Sequence, residues 1–176
     1  MPIYFVIGQV GSGKSKWVKT MCLPAVYCPN VKRIVLMISK RHHQTIYNDN
    51  NNNGTVDGFP ACMTEIHVDP SLADISRILE ILTKDTMLII DDIDVGTRMN
   101  EKDELKRVCE RHLVRLCMST EPKVLPKTAA DPNIHIFITA SGRDELPWSF
   151  RNLEHGEFPC RSFHVTHSGV EYRIPQ

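Results

Sequence analysis

The chain alternates between short apolar runs and stretches in which apolar residues recur at helical spacing. Apolar runs of five to seven residues, bounded by polar or glycine-containing segments, predict buried strands rather than helices. They occupy residues 3–7, 33–39, 86–90 and 134–139, and a weaker run at 64–68 predicts a further short strand. Helices are predicted between them, at residues 16–21, directly after Asp69-Pro70, at 100–117 and at 147–153.

The helix after Asp69 has both a predicted start and a predicted buried face. Asp69 is expected to cap its N-terminus, with Pro70 in the first helical position, where proline is well tolerated. Its buried face is expected to consist of aliphatic residues at helical spacing: Leu72, Ile75, Ile78, Leu79 and Leu82. At the other end of the chain, residues 162–174 are predicted to form a β-hairpin that turns at Ser168-Gly169.

Strands that alternate with helices predict an α/β fold with a mainly parallel sheet, which here ends in an antiparallel hairpin. The length of 176 residues suits one domain, and no repeat divides the chain, so residues 1–176 are predicted to form a single domain. The segment 47–58 is dominated by asparagine and is predicted to be a polar surface loop.

Composition and charge narrow the function classes. The chain is 41% hydrophobic and 24% charged, which is typical of a globular domain. Lys plus Arg and Asp plus Glu number 21 each, so a protein that binds polyanions through a uniformly basic surface is not expected. No apolar run is long enough to cross a membrane, and no membrane segment is predicted.

The six cysteines include no C-x-x-C pair. Since no export signal is evident, they are expected to be reduced and mostly buried. A zinc site formed by Cys160, His164 and His167 is an alternative, although this spacing matches no standard zinc site.

The sequence G-Q-V-G-S-G-K-S at residues 8–15, called the glycine loop below, fits the nucleotide-binding pattern G-x-x-x-x-G-K-[ST] at every defined position. It lies between a predicted strand and a predicted helix, where its backbone N–H groups can surround phosphate oxygens. Lys14 is expected to contact the β- and γ-phosphates, and Ser15 to bind Mg²⁺. The predicted nucleotide-contacting residues are Gly8, Gln9, Val10, Gly11, Ser12, Gly13, Lys14, Ser15 and Lys16.

A pair of acidic residues, Asp91-Asp92, follows the apolar run 86–90. Ligands of open α/β sheets bind at the carboxyl ends of the strands, where this pair is expected. Asp91 is predicted to hold Mg²⁺, usually through water, and Asp92 to act on the attacking water as its base or orienting group. Small-molecule kinases seldom need the second acid, and a GTPase would also want an N-K-x-D sequence, which is not present. The pair therefore favours ATP hydrolysis coupled to motion; the alternative is an acidic turn that merely leaves the core.

The run 134–139 is followed by Ala140-Ser141-Gly142-Arg143. Motor ATPases commonly place a polar sensor of the γ-phosphate on the strand beside the acidic pair, and either Thr139 or Ser141 is a candidate. Arg143 and Arg151 follow, and Arg111 lies on the predicted helix 100–117. One of these arginines is a candidate finger that completes the site of a neighbouring subunit, while a solvated surface cation is the simpler interpretation of each.

In their order along the chain, these motifs resemble the FtsK/HerA superfamily of DNA-translocating ATPases, especially the genome-packaging ATPases of poxvirus-like double-stranded DNA viruses. The resemblance covers most of residues 3–153. Besides the glycine loop, it rests on K-R-I-V-L-M-I-S-K at 32–40, L-I-I-D-D at 88–92, Arg111-His112, and the L-P-x-x-x-R-N pattern at 146–152.

The resemblance implies a P-loop NTPase domain of the ASCE/RecA-like type, a three-layer sandwich, in a homo-oligomeric ring, a pentamer or hexamer. It implies ATP and Mg²⁺ as cofactors, double-stranded DNA and a viral capsid or portal component as partners, and a location in the cytoplasm of an infected host cell or in the virion. The chain departs from the family at Ala140-Ser141, where relatives usually have Thr-Gln. It is also short, so DNA contacts are expected from loop 122–132, with Lys123 and Lys127, or from loop 47–58.

Two other functions fit part of the pattern. Filamentous-phage assembly or secretion ATPases also carry the nucleotide-binding pattern near the N-terminus, but they usually have a membrane anchor. A nucleoside or nucleotide kinase would need a lid bearing arginines, and only residues 143–151 resemble one.

Overall fold

The computed structural model describes residues 3–23, 31–41, 55–56, 59–60, 63–83, 85–93, 136–140 and 161–173. Within these ranges the chain forms strands and two α-helices in an α/β arrangement. In chain order they are β1 (Ile3–Ile7), α1 (Lys14–Cys22), β2 (Arg33–Ile38), β3 (Thr55–Val56), β4 (Phe59–Pro60), β5 (Thr64–Val68), α2 (Leu72–Glu80), β6 (Thr86–Asp91), β7 (Ile136–Ala140), β8 (Arg161–Thr166) and β9 (Gly169–Arg173).

Seven of these strands form one mixed sheet in the order β5-β2-β6-β7-β1-β8-β9. Each neighbouring pair is parallel except β8 and β9, which form an antiparallel hairpin. The strand that precedes the glycine loop, β1, is therefore separated from the acidic strand β6 by β7. The short strands β3 and β4 pair with each other in a second, antiparallel sheet.

The central strands are buried because their sequences are apolar along their whole length. Every residue of β6 and β7 is buried, as are all residues of β2 after Arg33. Unbroken apolar runs of this kind are typical of parallel strands that are covered on both faces. Across β1 and β7, the rings of Tyr4 and Phe137 stack with their centroids 5.8 Å apart, and Phe59 of β4 also packs fully buried in this core.

The edge of the sheet at β5 is held to β2 by charged side chains. Arg33 Nη2 lies 2.5 Å from Glu65 Oε2, and His67 Nε2 lies 2.6 Å from Glu65 Oε1. The hydrogen bond from Arg33 is the main reason that the pKa of Glu65 lies below its ordinary value, and His67 acts in the same direction. Because all three side chains are partly exposed, we expect these ion pairs to stabilise the fold by no more than about 1 kcal/mol each.

The predicted α/β class, the mainly parallel sheet and the antiparallel C-terminal hairpin are confirmed. The strand predicted at 64–68 has those bounds in the structure. Helix α1 begins at Lys14, two residues before its predicted start, so the last residues of the glycine loop belong to the helix. Of the asparagine-rich segment 47–58, the described residues Thr55 and Val56 form a strand and not a loop.

The predicted N-terminal cap of α2 is wrong. Ser71 caps this helix: its hydroxyl accepts the backbone N–H of Asp74 at 3.2 Å, and the Asp74 carboxylate accepts the N–H of Ser71 at 3.3 Å. This reciprocal pair satisfies two N–H groups at the helix start, which a cap at Asp69 would leave open. Asp69 instead has a positive φ of 46° and accepts the backbone N–H of Lys40.

Ile75, Ile78 and Leu79 form the buried face predicted for α2, whereas Leu82 follows the end of the helix. Neither described helix is long and apolar enough to cross a lipid bilayer. The predicted helices at 100–117 and 147–153 and the predicted loop 122–132 lie outside the described residues.

Candidate functional site

The glycine loop connects the carboxyl end of β1 to the first turn of α1. Gly11 and Gly13 have positive φ values of 81° and 91°, a region that residues with a Cβ rarely adopt. Gly13 is also the N-cap of α1 and supplies no side chain to the helix start. Gly13 therefore places no side-chain acceptor over the first N–H groups of α1, and the positive end of the helix dipole favours an anion there.

Gly8 is required for a different reason, the close approach of a neighbouring strand. Its N–H donates to the carbonyl of Ala140 on β7 at 3.1 Å. A Cβ at this position would lie 2.3 Å from the carbonyl oxygen of Val165 on β8 and 2.6 Å from Ser12 Oγ. The start of the loop is thus fixed between β7 and β8 by backbone atoms that cannot easily move.

Replacing Gly8 with alanine is therefore expected to lower the free energy of unfolding by about 1–3 kcal/mol, because the added methyl group overlaps backbone. Chemical denaturation of the Gly8→Ala variant measures this change. Gln9→Ala is the control, since the Gln9 side chain is exposed and its loss should change stability by less than about 0.5 kcal/mol. Equal stability of the two variants would contradict the close packing of the loop against β8.

Lys14 lies across the loop that precedes it. Its Nζ donates to the carbonyl of Gly8 at 2.6 Å and to that of Gln9 at 3.0 Å. The ammonium group is thus held beside the loop and the N-terminus of α1, where a bound phosphate chain would meet it. Sequence analysis predicted this role for Lys14, and the geometry is compatible with it.

Asp91, at the end of β6, is completely buried and forms the centre of the site. Its Oδ1 accepts the hydroxyl of Ser15 at 3.0 Å and that of Thr139 at 2.6 Å. Ser15 belongs to the first turn of α1 and Thr139 to β7, so three separate elements meet at one carboxylate oxygen. The two sequence motifs, 76 residues apart, therefore form one site.

Asp92 follows directly and is held in an uncommon backbone conformation. Its φ is 56°, in the left-handed region that Asp and Asn enter more readily than other residues with a Cβ. Its N–H donates to Thr139 Oγ1 at 2.9 Å, and its Oδ2 accepts the hydroxyl of Ser39 at 2.7 Å. The exposed carboxylate of Asp92 is thereby turned beside the end of β2, while Asp91 points into the molecule.

The register of the sheet explains these contacts. Ile38 of β2 pairs with Asp91, so the next residues, Ser39 and Asp92, stand side by side. Ile90 pairs with Ile138 of β7, so Asp91 stands beside Thr139. Polar groups at or directly after the carboxyl ends of three parallel strands thus converge at one edge of the sheet, where ligands of such sheets bind.

Cys22, at the end of α1, is the free cysteine among the described residues. Burial raises the pKa of its thiol well above the ordinary value, and the charge of Asp91 adds to this shift. The thiol therefore stays protonated at neutral pH, and Cys22 is a packing residue rather than a nucleophile.

The structure brings together Lys14, Ser15, Asp91 and Asp92 from the predicted set. Gln9, Val10 and Lys16 are exposed, with Val10 at 73% of its full accessibility, so their side chains contribute little to the closed part of the site. Four predicted residues lie outside the described part of the chain: Arg111, Ser141, Arg143 and Arg151. Sequence analysis proposed Thr139 only as an alternative to Ser141, and assigned no role to Ser39.

The candidate ligands for a cation in this site are oxygen atoms, the hydroxyl of Ser15 and the carboxylate of Asp91. No cluster of three His, Cys, Asp or Glu side chains suited to a metal occurs among the described residues. Ser15 Oγ and Asp91 Oδ1 are 3.0 Å apart, which matches two adjacent ligands of an octahedral Mg²⁺ at about 2.1 Å. A hydroxyl and a carboxylate are also the hard ligands that Mg²⁺ prefers, so the residues present fit this ion.

Comparison with known proteins gives no relative. No family model matches the chain, and neither the curated proteins nor the solved structures include a significant match.

Proposed function

We propose that this protein is an Mg²⁺-dependent ATPase that translocates double-stranded DNA, most specifically a genome-packaging motor of a double-stranded DNA virus. The observation that carries the proposal is the contact between Ser15 Oγ and Asp91 Oδ1 at 3.0 Å. It joins the end of the glycine loop to the acidic strand, which is the arrangement that a nucleotide-hydrolysing site requires.

In this proposal the glycine loop and the N-terminus of α1 bind the triphosphate. Backbone N–H groups contact its oxygens, and Lys14 leaves the carbonyls of Gly8 and Gln9 to pair with the β- and γ-phosphates. Ser15 and Asp91 would hold Mg²⁺, which would supply positive charge to neutralise the negative charge of the phosphates.

Asp92 is proposed to act on the attacking water. Its carboxylate is exposed, whereas that of Asp91 is buried, so of these two carboxylates Asp92 is the one open to a solvent molecule. The water oxygen forms a bond to the γ-phosphorus, the bond to ADP breaks, and Asp92 orients the water and accepts its proton. Ser39 and Thr139 fix the carboxylate and the backbone of Asp92 respectively.

Strand order supports a motor ATPase over a nucleotide kinase. The resemblance to motor ATPases implies a polar sensor on the strand beside the acidic pair, and β7, which carries Thr139, is paired with β6. Thr139 is hydrogen-bonded to both acidic residues. If a change at the γ-phosphate moves either acidic residue, these hydrogen bonds would transmit the movement to β7. A small-molecule kinase has less need of this second acid, because its acceptor pocket positions the attacking hydroxyl.

DNA translocation, the ring and the viral setting follow from the resemblance rather than from the site. We propose a homo-oligomeric ring, a pentamer or hexamer, in which Arg111, Arg143 or Arg151 reaches the ATP of a neighbouring subunit. Double-stranded DNA would pass through the ring into a capsid, through a capsid or portal partner, in the cytoplasm of an infected host cell or on the virion. Because the net charge is zero, only a few local cations per subunit would contact the DNA.

The test is ATP hydrolysis by the full chain with Mg²⁺, measured with and without double-stranded DNA over a salt series. We expect DNA to stimulate turnover at low salt, and the stimulation to fade between about 50 and 200 mM salt as phosphate contacts are screened. Turnover that requires an added nucleoside or nucleotide acceptor would instead support a kinase. Absence of any ATP turnover would overturn the proposal.

A further inference from the structure

A cavity of about 370 Å³ lies on the side of the glycine loop away from Asp91. One wall is formed by residues 7–9 and Ser12, and the other by residues 164–167 at the end of β8 and the following turn. Ile7 pairs with His164 in the sheet, so the cavity opens at the carboxyl ends of β1 and β8. The mechanism proposed above uses none of the residues 164–167.

Ser12 supplies an independent sign that a ligand belongs there. It lines the cavity and is only 8% exposed, yet its buried Oγ has no hydrogen-bond partner within the described ranges of the chain. A buried hydroxyl that makes no hydrogen bond lowers the stability of the folded state, and such hydroxyls are rare in native proteins. A polar ligand in the cavity would satisfy it.

The sheet order shows which part of a nucleotide would reach this cavity. The triphosphate proposed above has its terminal phosphate towards Asp91 on β6, and β7 and β1 separate β6 from β8. Three strand spacings amount to about 14 Å, which is the scale of an extended nucleoside triphosphate. A nucleotide that crosses the glycine loop from β6 therefore places its nucleoside end over β8.

The lining is suited to a base and a ribose. His164 is half-buried and His167 exposed, and an imidazole ring can stack on a nucleobase. Ser12 Oγ can bond a ribose or phosphate oxygen, and the volume is near the lower end of small-molecule sites, enough for one nucleoside. We propose that this cavity binds the nucleoside of the ATP whose triphosphate the glycine loop holds, with His164 and His167 as its base-contacting residues; the proposal rests on the proposed function.

The test compares two probes, ATP and inorganic tripolyphosphate, each titrated calorimetrically with Mg²⁺ into the full chain. The double variant His164→Ala/His167→Ala is expected to bind ATP about tenfold more weakly, because stacking on the base is lost. Its affinity for tripolyphosphate should stay within about twofold of the wild type, which also shows that the variant is folded. His167→Ala alone, a change at an exposed turn residue, should give part of the loss.

His67→Ala is the matched control, since His67 lies on β5 at the far edge of the sheet and pairs with Glu65. It should bind both probes as the wild type does. Equal ATP affinity in the wild type and the double variant would overturn the nucleoside site, while leaving the phosphate site intact. A wild-type chain that binds neither ATP nor tripolyphosphate would overturn the proposed function itself, and the nucleoside site with it.

Discussion

Replacing Lys14 with alanine is expected to abolish ATP turnover, with a loss of about 10²–10³ or more, and to weaken binding of both ATP and tripolyphosphate. The reason is the place of the ammonium group, which lies 2.6 Å and 3.0 Å from the carbonyl oxygens of Gly8 and Gln9, beside the N-terminus of α1. No backbone N–H group of the loop can replace its full positive charge at the β- and γ-phosphates. Steady-state hydrolysis and calorimetric titration measure the two effects.

The variant should remain folded. Lys14 is half-buried, and its hydrogen bonds to two carbonyl groups stabilise the protein by only about 1–2 kcal/mol, so thermal unfolding should stay cooperative. Lys19→Ala is the matched control, because Lys19 belongs to the same helix, in its last turn, away from the loop. It should retain turnover within about twofold. Full turnover by Lys14→Ala would contradict the assignment of the glycine loop as the phosphate site.

The strands could be predicted from the sequence because burial on both faces requires an unbroken apolar run. The runs at β1, β2, β6 and β7 meet this condition, and even the weaker β5 has its predicted bounds. The conformation of the glycine loop could be predicted as well, because its pattern is local. Gly11 and Gly13 adopt the positive φ angles that the pattern requires within eight residues of chain.

The partners of the acidic pair could not be predicted in this way, because they depend on the register between strands. Ser39 contacts Asp92 because the preceding residue, Ile38, pairs with Asp91. In the same way, Thr139 contacts Asp91 because Ile90 pairs with Ile138. Nothing local to Ser39 marks it, because a serine after a strand is an ordinary turn residue. A polar residue at or directly after the carboxyl end of each of several parallel strands is the signal that would have pointed to it.

The start of α2 shows a similar limit within a local segment. Asp69, Ser71 and Asp74 each have a side chain that can accept a backbone N–H group, so composition alone permits more than one cap. The reciprocal bonds between Ser71 and Asp74 decide in favour of Ser71, and release Asp69 to bind the N–H of Lys40 after β2. When several side chains near a helix end can form the same capping hydrogen bond, the sequence does not decide between them. The ends of helices are therefore harder to predict than their central residues.

The second large effect is expected at Asp92. Asp92→Asn should lower ATP turnover by about 10²–10⁴, because an amide can neither accept the proton of the attacking water nor orient it with a negative charge. Asparagine is the informative substitution, since it also tolerates the φ of 56° and can still accept the Ser39 hydroxyl at 2.7 Å. Affinity for ATP should change little, because Asp92 lies beyond the residues that hold the phosphates.

Two further variants separate chemistry from positioning at this residue. Asp69→Asn is the matched control, because Asp69 is also exposed, follows a strand and has a positive φ, yet lies at the end of edge strand β5. It should retain turnover within about twofold. Ser39→Ala should lose about tenfold, an intermediate effect, because it removes one hydrogen bond to Asp92 Oδ2 but leaves the carboxylate. If Asp92→Asn hydrolyses ATP as fast as Asp69→Asn does, Asp92 does not activate the water, and the preference for a hydrolysing motor over a kinase loses its chemical basis.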